Sequence, residues 1–236
     1  MTLSESLDGD ALERQKLSYL REVDIFQDLS PQEMADLGAR APMKRVPAGT
    51  VFYTPDEPTE VLFILKEGRV RLYHLLPDGR SLTTAVLEAG AVFGEMALLG
   101  QELHGSFAEA QAPCLLCLMS RNDVKTLLLS DPRVALRITE TLGRRLIDTE
   151  RRLLDFAYRR VPERVALLLA QFAARSPEAA PVELRCTHEE LADLTGTYRE
   201  TVTRVLSDLR SRGLIELRRG VIVVLDIEGL RRLAPG

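Results

Sequence analysis

Arginine presents five N–H donors in a flat, rigid fork, and an ionised glutamate presents two acceptor oxygens. The stretch RETVTR sets two such forks, Arg199 and Arg204, beside one acceptor, Glu200, with the hydroxyl of Thr203 among them. On a helix, Arg199 and Thr203 are neighbours four residues apart, as are Glu200 and Arg204, so the four side chains share one face. Groups of this kind match the edges of base pairs. The fork fits the O6/N7 acceptors of guanine, and a carboxylate accepts from cytosine N4. The spacing predicts that Arg199, Glu200, Thr203 and Arg204 read bases. A helical hairpin with a merely solvated face would use the same residue types. The elements around the stretch decide between the two.

Thr187 is followed three residues later by Glu190, the capping-box spacing that starts a helix. Leu191, Ala192 and Leu194 are expected to turn inward. Gly196 supplies the turn, where a residue without Cβ takes positive φ at little cost. Thr197 is expected to cap a second helix, with Glu200 as its N3 partner. That helix buries Val202, Val205, Leu206 and Leu209 at helical spacing. It leaves Tyr198, Arg199, Glu200, Thr203, Arg204, Ser207 and Asp208 outside. Downstream, β-rich runs at 214–217 and 221–224 flank Arg218-Arg219-Gly220, a hairpin with a basic tip. Two helices about one glycine, followed by such a wing, suit a winged helix-turn-helix laid into a major groove. The expected phosphate contacts are Thr187, Thr197, Tyr198, Arg218 and Arg219.

The chain has 236 residues, 45% of them hydrophobic, which is core enough for two ordinary domains. A net charge of −4 argues against a general polyanion binder, but the charge is uneven. Residues 1–120 hold 10 Lys+Arg against 18 Asp+Glu, and residues 121–236 hold 21 against 17. The basic excess lies in the half with the reading stretch, as nucleic-acid contact favours. The odd cysteine set, Cys114, Cys117 and Cys186, points to a reducing compartment. On a strand, Cys114 and Cys117 face opposite sides, so they read as buried structural thiols. His74, His104 and His188 lack zinc spacing. With no P-loop and no nucleophile–base pair, neither metal nor catalysis is expected. No apolar run is long enough to span a membrane, and the start lacks the form of a signal peptide. A cytoplasmic protein is expected.

Residues 1–15 are expected to fray. Residues 16–40 read as helical pieces, one opened by Ser30-Pro31 with Glu33 at N3. Between 42 and 120, short strands at 50–53, 61–65, 70–76, 81–87, 92–93 and 115–119 indicate a compact β-roll. Residues 131–160 read as one long helix with Asp131 as cap and Pro132 at N1. Leu142, Leu146, Thr149, Leu153 and Phe156 form a heptad seam that favours a parallel dimer. Val134 and Ile138 are expected to pack on the chain's own roll. Residues 159–162 form a hinge, where Pro162 interrupts the helix.

RETVTRVLSDLRSRGLIELRRGVIVVLD resembles the C-terminal winged helix of the Crp/Fnr family, the cyclic-AMP-receptor and fumarate–nitrate-reduction type of bacterial regulators. VLFILKEGRVRL and FGEMALL resemble that family's cyclic-nucleotide-binding β-roll, and RRLIDTERRLLDFAYRRVPERVALLLAQFA its dimer helix. The resemblance implies an α+β fold. After the frayed start come a cyclic-nucleotide-binding-like domain with flanking helices (16–130), a dimerisation helix (131–160) and a winged helix-turn-helix (161–236). It implies a transcription regulator, an activator, that binds double-stranded DNA as a homodimer. The operator would be an inverted repeat with half-sites of the TGTGA type, and RNA polymerase a further partner.

The implied effector pocket is Gly94, Glu95, Met96, His104, Gly105, Ser106, Thr149 and Glu150. In family members that bind cyclic AMP, the glutamate matched by Glu95 holds the ribose 2′-OH and an arginine neutralises the cyclic phosphate. That arginine's place falls on Gly105, and no Lys or Arg stands between Glu95 and Arg121. Glu150 stands where a small hydroxyl residue would meet the ligand. A buried phosphate without a cation lacks its charge-assisted hydrogen bonds. Control without an effector, or by a non-standard one, is therefore expected, with no cofactor. Cyclic-AMP dependence is the alternative within the family. The iron–sulfur type is set aside because the N-terminal cysteines it needs are missing. Rivals from other classes are a cyclic-nucleotide sensor acting on a protein partner and a cupin-like enzyme. The winged helix speaks against the first and the scattered histidines against the second.

Overall fold

The computed structural model describes residues 24–56, 61–94, 105–176 and 181–234. They form two compact units. One runs to His74 and resumes over Thr84–Leu146; the other joins Leu75–Thr83 to Ile147 and everything after it. The start expected to fray, and residues 16–23, lie outside the described residues.

The strands that lie wholly or mostly in the first unit are β1 (Met43–Val46), β2 (Val51–Tyr53), β3 (Val61–Glu67), β4 (Val70–Leu75), β5 (Ser81–Leu87), β6 (Val92–Phe93), β7 (Ser106–Ala110) and β8 (Cys114–Ser120). They make two four-stranded sheets, ordered β1-β8-β3-β6 and β2-β7-β4-β5. Strand β3 explains the uninterrupted apolar run in the sequence, because both its faces are buried. Phe63 and Leu65 join a core with Val70, Phe93, Cys114 and Leu116. Leu62 and Ile64 join another with Phe26, Met34, Cys117 and Met119. Rings of Phe52, Phe63 and Phe93 meet at centroid distances of 5.1–5.2 Å. Each fully buried side chain of this size contributes about 1.5–3 kcal/mol.

The helices that begin in this unit are placed by caps; the last of them runs on past Leu146 into the second unit. Helix α1 (Pro31–Arg40) follows Ser30, whose N–H donates to Glu33 Oε2 at 2.7 Å. Helix α2 (Arg121–Ser130) runs almost directly into α3 (Pro132–Tyr158), 27 residues long. Between them, the Asp131 carboxylate accepts from the Arg133 N–H at 2.9 Å and from its guanidinium at 2.7 Å. These hydrogen bonds hold the Asp131 carboxyl below its ordinary value. Arg133 also reaches Glu33 at 3.0 Å, tying α3 to α1. Val134 is buried in the second of the two cores and Ile138 packs against it.

Three strands have no counterpart in the sequence reading: β1, β7 and β9 (Val182–Leu184). MKRV fully buries only Val46, and SFAEA is rich in alanine, so neither shows a strand pattern. They form because β8 and β4 offer ready edges, with Val46 opposite Cys114 and Ala108 opposite Leu72. Strand β4 stops at Leu75 rather than Leu76, where the Leu76 N–H turns to bond the Arg80 carbonyl.

The second unit holds α4 (Val161–Ala174), β9, α5 (His188–Thr195), α6 (Arg199–Ser211), β10 (Ile215–Arg218), β11 (Val221–Val224) and α7 (Ile227–Leu233). Its three-stranded antiparallel sheet has the order β10-β11-β9. Val165, Leu169, Leu191, Leu206, Leu209 and Ile222 form its centre. The break after α3 coincides with the proline: Pro162 lies in the first turn of α4, and the Arg160 N–H donates to Glu163 Oε2 at 3.0 Å.

Candidate nucleic-acid interface

Helix α5 opens on the reciprocal cap. Glu190 N–H donates to Thr187 Oγ1 at 3.1 Å, and Thr187 N–H donates to Glu190 Oε2 at 2.7 Å. It closes at Gly196, with φ +61°. A Cβ there would stand 2.7 Å from Phe156 Cε1, so the turn accepts no side chain without displacing that ring. The N–H groups of Gly196 and Thr197 both donate to the Ala192 carbonyl. This corrects the expected second cap. The Thr197 N–H is spent in closing α5, so α6 begins one residue later. Its cap is Tyr198, whose side chain makes no capping hydrogen bond.

Helix α6 buries Val202, Val205, Leu206 and Leu209. Its opposite face exposes Arg199, Glu200, Thr203 and Arg204, with Ser207 and Asp208 further along. Arg199 is the first residue of the helix, and Arg204 donates to Thr201 Oγ1 at 3.3 Å. The Thr203 hydroxyl donates to the Arg199 carbonyl at 2.9 Å and lies 2.8 Å from His188 Nδ1. His188 had no role in the sequence reading. Its partner is fifteen positions away, and only the crossing of α5 and α6 brings the two together. Tyr198 is exposed, and the guanidinium of Arg80 lies 4.1 Å from its ring centroid.

On the wing, Arg218 pairs with Glu216 at 3.0 Å and with Glu183 at 2.9 Å. The Glu216 carboxylate raises the Arg218 pKa further, so this cation carries its own counter-charges. Arg219, at the hairpin tip beside Gly220, is exposed. Thr187, His188, Arg199, Arg218 and Gly220 line one groove between α5, α6 and the wing.

Of the expected effector residues, Glu95, Met96 and His104 lie outside the described residues. Gly94, at φ +127°, sits where a Cβ would collide with the Val61 carbonyl oxygen. Gly105 is exposed at φ +78°, and Ser106 is buried at the start of β7. Arg145, missed in the sequence, donates to the Val92 carbonyl at 2.8 Å, and burial holds its pKa down. Thr149 and Glu150 are exposed on α3. In the expected seam, Leu146 and Leu153 are 61% and 67% exposed, and Leu142 is half-buried. Phe156 lies against Gly196, with Arg164 over its ring at 5.0 Å. Leu136, Ile147, Leu154 and Tyr158 are further exposed apolar residues of α3. Among the described residues, no His/Cys/Asp/Glu group could hold a metal ion, and no helix is long and apolar enough to cross a membrane.

Two family profiles match the chain: a cyclic nucleotide-binding domain over residues 43–131 and a Crp-like helix-turn-helix domain over residues 163–233. A CRP-like cAMP-activated global transcriptional regulator of Mycobacterium tuberculosis is 31% identical over 214 residues, 89% of this chain and 96% of that protein. A cyclic AMP receptor protein of Thermus thermophilus is 31% identical over 213 residues, 90% of this chain and 97% of that protein. Among solved structures, a c-di-GMP responsive global regulator of Xanthomonas campestris aligns with TM-score 0.72 and 28% identity, covering 80% of this chain and 95% of its own.

Proposed function

The chain belongs to the Crp/Fnr family of transcription regulators, and on that premise we propose that it binds an inverted-repeat operator as a homodimer, through α6, without requiring cyclic AMP. The observation that carries DNA reading is the helix itself. Arg199, Glu200, Thr203 and Arg204 are exposed on one face while the opposite face is buried. Arg199 and Arg204 contact guanines, Glu200 accepts from cytosine, and Thr203 meets a base between them. Thr187, Thr197, Tyr198, Arg218 and Arg219 contact phosphates, Arg219 more strongly than Arg218, whose charge two glutamates offset. The exposed leucines of α3 support a dimer, since a stripe of this kind needs a partner surface. Two copies then set their reading helices one DNA turn apart, about 34 Å. Activation through RNA polymerase is the proposed outcome. The organisation proposed for the chain is a cyclic-nucleotide-binding-like domain, a dimerisation helix and a winged helix-turn-helix.

The relatives differ in their signals: two are named for cAMP and one for c-di-GMP. For this chain, Gly105 supports control by something other than cyclic AMP. It brings no cation, and its φ of +78° is a backbone state that an arginine rarely adopts. The test is an anisotropy titration of a labelled TGTGA-type inverted repeat and a scrambled duplex, with and without cyclic AMP. Specific binding in both conditions supports the proposal. Binding only with the nucleotide overturns the effector part. Equal affinity for the scrambled duplex overturns base reading at this half-site.

A further inference from the structure

A threonine hydroxyl has one proton to donate. The Thr203 Oγ1 has two neighbours, the Arg199 carbonyl at 2.9 Å and His188 Nδ1 at 2.8 Å. Its proton stays inside the protein in every state of the ring. When Nδ1 carries hydrogen, in the neutral or the charged imidazole, His188 donates to Oγ1 and the hydroxyl donates to the Arg199 carbonyl. When Nδ1 is bare, the hydroxyl donates to the ring. In no state does Thr203 have a donor left for guanine N7 or O6, adenine N7 or thymine O4. Thr203 is exposed on α6, and what it has left to offer a base is lone pairs and the Cγ2 methyl. Two hydrogen bonds to one Oγ1 also fix χ1, so that methyl has one position.

We propose that His188 is a positioning residue that sets base specificity: it makes Thr203 a methyl reader, selecting thymine at one base pair of each half-site. Thymine is the base whose major-groove edge carries a methyl group. The proposal rests on DNA reading by α6 and assigns a residue of α5 to it.

The test uses the full chain and duplexes selected from a randomised inverted-repeat library. Each thymine of the preferred half-site is replaced in turn by uracil, which lacks only the methyl. Affinities are then measured for the wild type, His188→Ala, His188→Asn and Thr203→Ser. One methyl removed from apolar contact corresponds to about a fourfold loss. The expected result is a wild-type loss of that size at one thymine per half-site. Thr203→Ser abolishes it and His188→Ala reduces it, with the other thymines unchanged. His188→Asn, whose amide nitrogen takes the place of Nδ1, retains it. A wild type indifferent to every uracil overturns the inference, as does His188→Ala with the full wild-type penalty. If no sequence is enriched for the wild type, DNA reading itself falls, and this inference with it. That failure is distinct, because it appears before any uracil is introduced.

Discussion

Replacing Gly196 by alanine tests the turn on which the reading helix depends. Two costs follow from the geometry. The first is conformational: at φ +61° an L-residue's Cβ crowds the following carbonyl, at about 1–2 kcal/mol. The second is steric: the new Cβ would stand 2.7 Å from Phe156 Cε1, where carbon atoms normally keep about 3.5–4.0 Å. The ring is partly exposed and can retreat, but it then leaves Arg164, a cation–π contact of about 0.5–1 kcal/mol. Together the two amount to about 1.5–3 kcal/mol, or roughly 10- to 150-fold in a local equilibrium. Amide hydrogen exchange over 188–211 reads this directly, and faster exchange by that factor is expected. Phe156→Ala separates the parts. In the double variant the steric cost vanishes and the conformational cost stays, so the two substitutions cost about 0.5–1 kcal/mol less than their sum. Exchange unchanged in Gly196→Ala would refute the reasoning. Strict additivity would refute the role given to the ring.

Further expectations concern binding, acid stability and assembly. Arg199→Ala should lose about 1–3 kcal/mol on the preferred operator and relax selectivity at one base pair; an equal loss on all sequences would remove it from the base contacts. Arg219→Ala should lower the salt slope of binding by about one, and Arg218→Ala by less, because Glu183 and Glu216 already offset its charge. Asp131→Ala should cost about 1 kcal/mol at neutral pH, the usual worth of an N-cap. The Asp131 carboxyl is held low by Arg133, so its contribution is complete above its ordinary pKa of about 4 and is lost as pH falls through the folded value. The variant should therefore show a flatter acid limb in urea midpoints below that pH, and an unchanged limb would refute the assignment. Leu146→Glu combined with Leu153→Glu should turn a sedimenting dimer into a monomer, whereas an unaltered sedimentation coefficient would place the interface elsewhere.

Much of the reading unit was legible because its signals are local. The Thr187 and Glu190 pair, Gly196 and the spacing of Val202, Val205, Leu206 and Leu209 each lie within one turn or one helix. The misplaced cap at Thr197 shows the limit of such signals. The sequence reading looked forward to Glu200, whereas the structure uses Thr197 backwards, in closing α5. Strands β1 and β7 were invisible for the opposite reason, since their conformation comes from the partners they pair with. Arg145 and His188 were missed because a lone arginine or histidine announces nothing until the fold puts a carbonyl or a hydroxyl beside it. The seam on α3 was legible as a period, but contacts distinguish its members: Leu146 and Leu153 are open, while Phe156, though partly exposed, is engaged with the turn.

Strand β8 gives the molecule a pair of internal clocks. Cys114 and Cys117 are three residues apart, yet one thiol belongs to the core between the sheets and the other to the core beneath the helices. Burial also pushes the Cys114 thiol up, which keeps it in its unreactive protonated form. A thiol reagent applied under native conditions therefore waits for each core to open, and the two modification rates time those openings separately. Cys186, only partly covered, reacts ahead of both and marks the start of the count.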